Sequence, residues 1–491
     1  MQYNSTRNKN LTANSIEAVL RGIAPDGGLY MTEPPVFSPE RCRKVLAMDF
    51  EGMAGELLGA LLADYPAEEL HRMVHAAYDG RFAAPEVTPL VPAGDRHILE
   101  LFHGPTAAFK DVALSLLPHL ITGAKRLAGD TTRTVILTAT SGDTGKAALA
   151  GFCDVEGTSI IVFYPNDGVS AMQKLQMVTQ PGGNVAVCAV EGNFDDAQTG
   201  VKHIFSEMPP QDGAALSSAN SINIGRLAPQ VVYYWHAYAA LLRRGKIAMG
   251  DKVNFVVPTG NFGNILAGYL AKRMGLPVNK LVCASNQNDV LTEFLQTGRY
   301  NRQRPFYKTA SPSMDILVSS NLERLLYLVS DEDAEMVAEK MRELNEKGCY
   351  QIEEDLLQRI KEDFLCGCCD DAATARIIRK VWEEEHYLCD PHTAVAWNVC
   401  EQCRGQLSGE TVVLSTASPY KFAPAVLEAL GEKTPADSFD AMETLSTFTG
   451  IPIPAPLAVL RELPIRHRDC IPREEMLRYV SRKMEETVWN K

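Results

Sequence analysis

The chain has 491 residues, with 48 lysines and arginines against 61 aspartates and glutamates, so its net charge is −13. With 46% apolar and 22% charged residues, its composition is ordinary for a globular protein, and at ~150 residues per domain it has room for two or three domains. That balance argues against a protein that coats nucleic acid or binds an anionic membrane, and no apolar run reaches the ~20 residues that cross a bilayer.

Residues 1–7 are polar and lack the apolar core of a signal peptide. Twelve cysteines are scattered from Cys42 to Cys470, unlike the dense framework of a small secreted domain. A cytoplasmic protein with reduced thiols is therefore expected.

In chain order, the first segment with chemical promise is 101–121. Lys110 follows His103, Gly104, Pro105, Thr106, Ala107, Ala108 and Phe109, and stands where the apolar helical segment 112–121 begins. A helix N-terminus and burial both disfavour an ammonium, and both push a lysine toward the neutral amine that forms a Schiff base. A surface lysine explains the local sequence equally well.

Short β-branched runs follow, over 134–138, 159–164, 185–190, 253–257, 281–284 and 411–415. They are continuously apolar, which predicts strands buried on both faces of parallel sheets. Helical patterns over 146–152, 170–178, 195–205 and 265–274 separate several of them. Such alternation predicts an α/β fold of open sheets, in which ligands bind at the carboxyl ends of strands. The charged stretch 331–363 reads as exposed amphipathic helices in a peripheral lobe. The expected organisation is an N-terminal segment over 1–95, a smaller α/β domain over 96–240, and a larger one over 241–491 carrying the helical lobe near 330–380.

Two glycine-bearing turns follow predicted strands. Ser141, Gly142, Asp143, Thr144 and Gly145 superficially resemble a nucleotide-triphosphate loop, but Thr140 and Ala147 stand where its first glycine and its magnesium-binding hydroxyl belong. The second turn contains Gly260, Asn261, Phe262, Gly263 and Asn264 and leads directly into a helix. Converging backbone N–H groups and a helix N-terminus suit a phosphate, a reading we prefer to a bare tight turn. Its spacing is not that of a dinucleotide site.

Cys366, Cys368 and Cys369 precede Cys400 and Cys403 by some thirty residues. Paired cysteines can hold zinc, but Cys400 and Cys403 extend an apolar helical pattern. They read better as buried thiols, and no metal is expected.

Taken together, these motifs resemble the threonine synthases, pyridoxal-phosphate (PLP) enzymes of the fold-type-II group. The resemblance rests on nine motifs in family order. They include Tyr3 to Arg7, Ala24 to Tyr30, His103 to Asp111, Thr140 to Gly145, Ser218 to Asn223, Gly260 to Asn264, Ser311 to Ile316, Asp390 to Ala394 and Ser415 to Ser418. It implies two α/β domains around PLP and conversion of the small-molecule substrate O-phospho-L-homoserine, with water, to L-threonine and phosphate. Lys110 is then the Schiff-base lysine, and Gly260, Asn261, Phe262, Gly263 and Asn264 hold the cofactor phosphate. Thr416 reaches the ring nitrogen, although without the resemblance an N-cap for the helix after Pro419 is preferred. Ser141, Gly142 and Thr144 receive the substrate carboxylate, while Asp143 lies near the cofactor's phenolic oxygen. Asn220, Ser221 and Arg226 bind the substrate phosphate, where local pattern fits an N-cap and a solvated arginine equally well. Asp390, Pro391, His392 and Thr393 carry a family association or a structural turn.

Three rivals remain. One is a related phospholyase that releases 2-oxobutanoate. The second is another fold-type-II lyase, and the third a scaffold protein using the cysteine pairs for metal. Assembly as a monomer or homodimer is expected.

Overall fold

The computed structural model describes residues 1–140, 142–166, 169–192, 194–208 and 213–486. Two sheets organise it. In the larger, six strands run in the order Phe364–Cys368, Val278–Ser285, Val253–Pro258, Thr411–Ser415, Arg96–Glu100 and Leu90–Ala93. All neighbours are parallel except the last two, which form an antiparallel hairpin. In the smaller, five parallel strands run in the order Asp469–Pro472, Val185–Glu191, Thr158–Pro165, Arg133–Ala139 and Ala214–Ser218. Every residue of Thr158–Pro165 is buried, as its unbroken apolar run requires of a central strand covered on both faces.

Sheet membership departs from the expected divisions. Arg96–Glu100 belongs to the larger sheet, although 96–240 was assigned to the smaller domain. Asp469–Pro472 completes the smaller sheet, although 241–491 was assigned to the larger domain. The helix Met476–Glu485 also packs on the smaller domain's Phe194–Glu207. The lobe near 330–380 is not purely helical. Phe364–Cys368 is an edge strand pairing Cys366 with Cys283 and Cys368 with Ser285, so two of the first three cysteines lie on a strand and Cys369 just past it.

The helix Ile224–Arg243 binds the halves together. It is buried without interruption from Ile224 to Leu241, including Trp235 and three tyrosines, which is the signature of a helix inside a core. It packs against Lys110–Ala128 and Gly263–Arg273. The N-terminal segment supplies a small antiparallel sheet, Gln2–Ser5, Asn8–Asn14 and Tyr30–Met31. It also supplies the helix Phe50–Leu61, which covers Ile224–Arg243.

Helices Lys110–Ala128 and Asp143–Phe152 touch through a glycine. A methyl group on Gly151 would run into the Leu114 carbonyl oxygen, which lies in the backbone of the opposing helix and has little room to yield. Gly151→Ala is therefore expected to lower the unfolding free energy by about 1–3 kcal/mol, as overpacked core sites do. Chemical denaturation measures this.

Candidate active site

Four strand ends point at one cavity of about 840 Å³. Thr140 follows Arg133–Ala139, Asn220 follows Ala214–Ser218, Thr259 and Gly260 follow Val253–Pro258, and Thr416 follows Thr411–Ser415. This is where an open α/β sheet presents its ligands.

Lys110 is the first residue of the helix Lys110–Ala128 and lines the cavity. Its approach is tied to the strand end that bears Thr416. Phe109 N donates to Thr416 O at 2.8 Å, Ser418 N donates to Ala107 O at 3.1 Å, and Ala108 bridges Ala417. Burial lowers the Lys110 pKa to about 8, against the pull of Asp143, with Arg226 and Lys421 adding to the fall.

The loop after Val253–Pro258 forms a cradle. Phe262 has φ of +60° and starts the helix Gly263–Arg273, so the first-turn N–H groups have no intrahelical partner. A methyl on Gly260 would lie 3.0 Å from Ser313 O, so only glycine lets the two loops approach this closely. Asn264 Oδ1 accepts from the hydroxyls of Tyr233 and Tyr234 at 2.7 and 2.9 Å. Its Nδ2 is buried without a partner among the described residues.

Across the cavity, Arg226 lies on Ile224–Arg243. It is buried rather than solvated, and its pKa is lowered to about 10 by that burial. It donates through one guanidinium nitrogen to Ala219 O, while its Nε has no partner among the described residues. Among the described residues no carboxylate pairs with it. Asn220 Oδ1 beside it is likewise buried and unpartnered. Buried polar atoms are nearly always satisfied, so three orphans around one cavity mark places for ligand atoms. Neither Asn220 nor Ser221 caps a helix, because Asn223 is the N-cap of Ile224–Arg243.

A node at the start of Leu322–Val329 holds these parts in register. Asn321 Nδ2 donates to Ser221 Oγ at 3.2 Å and to Asn261 O at 3.0 Å. Arg324 is fully buried and donates to Tyr30 O, Ser221 O and Ile222 O. Glu323 takes a two-point contact from Arg7 at 2.9 and 2.7 Å. Sequence reasoning missed this node, because its partners lie from sixty to more than three hundred residues away.

Not every expected residue lines the cavity. Lys110, Thr144, Asn220, Ser221, Arg226, Gly260, Asn261, Phe262, Gly263, Asn264 and Thr416 do. Gly142 instead packs against Gln173, and its N–H donates to Thr140 Oγ1. Ser141 lies outside the described residues. Asp143 is buried behind the cavity, accepting from Lys421 at 2.5 Å, Gln173 at 3.0 Å and Ser313 at 3.0 Å. Burial raises its pKa, but Lys421 and then Lys110 outweigh that and hold the carboxyl well below the usual range. The cap after Thr416 is supplied by Ser418, which removes the structural role preferred for that threonine. Asp390 does cap the helix Pro391–Cys403, and it also holds His392 Nδ1 at 2.7 Å while the ring lines the cavity. Cys403 donates to Cys366 O. Among the described residues, the grouping with metal-ligand geometry is Glu51, His75 and Asp79 at the surface.

The donor set fits pyridoxal phosphate. An amine of lowered pKa, an anion cradle at a helix start and a hydroxyl at a strand end share one cavity. Comparison with known proteins agrees. Residues 86–354 match the family described as pyridoxal-phosphate dependent enzyme, residues 2–78 the threonine synthase N terminus, and residues 393–476 the threonine synthase C-terminal family. The protein is thus a PLP-dependent enzyme of fold type II, and PLP is its cofactor.

Threonine synthase from Pseudomonas aeruginosa is 39% identical over 89% of this chain and 92% of its own. The PLP-bound threonine synthase structure from Brucella melitensis covers 99% of this chain and 100% of its own, at 38% identity and a TM-score of 0.87. The chain belongs to the threonine synthase family. Human threonine synthase-like 1 is 41% identical over 84% of this chain, but this chain spans only 58% of its length. Among the described residues no helix is long and apolar enough to cross a membrane.

Arg324→Met removes the donors to three backbone carbonyls. Loss of these charge-assisted bonds in a buried setting is expected to destabilise the fold by roughly 2–4 kcal/mol, read as a fall in the denaturant midpoint.

Proposed function

We propose that the protein converts O-phospho-L-homoserine and water to L-threonine and phosphate. One observation carries the reading. The cavity that contains Lys110 has two separate anion-binding arrangements, the glycine cradle with Asn264 and the buried Arg226 with Asn220. One serves the cofactor's phosphate and the other the substrate's.

On this reading Lys110 holds the cofactor, Gly260 to Asn264 bind its phosphate, and the Thr416 hydroxyl meets its ring nitrogen. Asp143 would be the acid on the side of its phenolic oxygen. When bound, PLP supplies an electron sink that stabilises negative charge developing at the substrate's Cα. Lys110 Nζ, neutral above its lowered pKa of about 8, is suited to take the Cα proton and return it later. Arg226 offers a fork to the phosphate that leaves from Cγ, and Asn220 and Ser221 add hydrogen bonds. Thr144, which lines the cavity at the start of Asp143–Phe152, is the residue we assign to the substrate carboxylate, where the helix dipole favours an anion. The cytosol is the proposed location, a reading supported by twelve free thiols.

Two measurements test the reading. Purified enzyme given O-phospho-L-homoserine should form threonine and phosphate in equal amounts. Formation of 2-oxobutanoate in place of threonine would identify the phospholyase reaction instead. Arg226→Gln should lower kcat/KM by about 100-fold, equivalent to ~3 kcal/mol for a charge-assisted contact, with the spectrum of bound cofactor retained.

The lowered pKa of Lys110 gives a pH prediction. The neutral amine grows as pH rises and saturates above its pKa. The rate at which cofactor-free protein captures PLP should therefore rise with pH with a midpoint near 8 rather than near the ordinary lysine value of ~10.4. Stopped-flow absorbance reads this directly.

A further inference from the structure

Lys421 has no role in the site as described so far. It lies in the short turn Pro419–Phe422, five residues past Thr416. Its side chain is wholly shielded from solvent, and that of Asp143 nearly so, at 0% and 3% exposure. Its ammonium donates to Asp143 Oδ1 at 2.5 Å and to Thr106 O at 3.1 Å. Both contacts belong to the frame of Lys110. Thr106 stands four residues before Lys110, and the turn carrying Lys421 is joined to Ala107 through Ser418.

The charges around this pair come from several elements. Lys110 and Lys421 face Asp143, while Asp143, Arg226 and Lys421 face Lys110. Asp111 and Lys146 also face Lys421. Ser313 donates its hydroxyl to Asp143 Oδ2, and its N–H is held by His392. Without Lys421, Asp143 would be a buried carboxylate whose nearest cation is Lys110 itself. A bare carboxylate beside the reacting amine would favour its charged form.

We propose that Lys421 is a positioning residue that cancels the field of the Asp143 carboxylate at Lys110. The inference rests on the reading of Lys110 as the cofactor-binding amine. The two residues act as an internally neutral pair, so Asp143 can face the cofactor without drawing a proton onto the nitrogen of Lys110. A plain structural ion pair would stabilise the fold without setting the charge state of the bound cofactor.

The test uses PLP-loaded enzyme and reads the pH midpoint of the cofactor's visible absorbance change, not activity. Four proteins are compared with wild type. Lys421→Met, which leaves Asp143 bare, should raise the midpoint by about one unit or more. Asp143→Asn, which leaves Lys421 bare, should lower it by a similar amount. The double variant D143N/K421M should return close to wild type, and it removes both buried charges together, which buried pairs tolerate better than loss of one partner. Lys421→Arg should preserve the wild-type midpoint. If K421M does not fold, a lowered midpoint in D143N that the double variant restores still supports the proposal. A common midpoint across wild type, D143N and the double variant would overturn it. A wild-type enzyme with no borohydride-reducible absorbance would instead overturn the assignment of Lys110.

Discussion

The site depends on one backbone contact, the bridge that joins residues 107–109 to residues 416–418. Phe109 N to Thr416 O, Ser418 N to Ala107 O and the Ala108–Ala417 bridge lock the start of one helix to the end of one strand. These bonds lie at the edge of a core and are shielded from water, where an unmade backbone hydrogen bond is costly. Lys110, Thr416 and Lys421 all hang from this frame. An amine, a hydroxyl and a balancing cation are thereby fixed by main-chain geometry, and their placement does not depend on flexible side chains finding one another.

Around that frame the protein handles buried charge in two ways. Asp143 is paired with Lys421, hydrogen-bonded by Gln173 and Ser313, and so kept ionised. Arg226 is buried without an acid among the described residues, and one of its donors has no partner. An unmet buried cation is expensive unless a ligand completes it. The first arrangement suits a charge that stays in place through turnover. The second suits an anion that arrives and leaves. The net charge of −13 has no bearing on this, because an anion in the cavity is met by local donors such as Arg226 and the start of the helix Gly263–Arg273.

Much of this was legible in the sequence. The strands 158–165, 185–191 and 253–258 are continuous apolar runs, and their type and place follow from burial on both faces. The glycine cradle was legible because a turn that must approach a phosphate or another loop closely cannot carry a Cβ, and Gly260 against Ser313 O shows that constraint. Arg96–Glu100, Phe364–Cys368 and Asp469–Pro472 escaped notice for the opposite reason. They are short and carry charged, small or cysteine residues, and tertiary pairing makes them strands. The sheet division drawn from chain order failed with them, because Asp469–Pro472 returns to a sheet built some three hundred residues earlier. Lys421, Ser313, Asn321 and Arg324 were illegible as well. Each acts on a partner distant in the chain, and nothing local to Tyr420, Lys421 and Phe422 beyond a lysine between two aromatics signals a buried ion pair.

In the proposed reading Lys110, placed by the bridge to residues 416–418, is the amine that takes the cofactor. The most direct measurement is borohydride reduction of the PLP-loaded protein followed by proteolysis and mass determination of the labelled peptide. The account predicts a single pyridoxyl adduct on Lys110. An adduct on the half-buried Lys146 or the buried Lys421, amines on neighbouring elements, would contradict it.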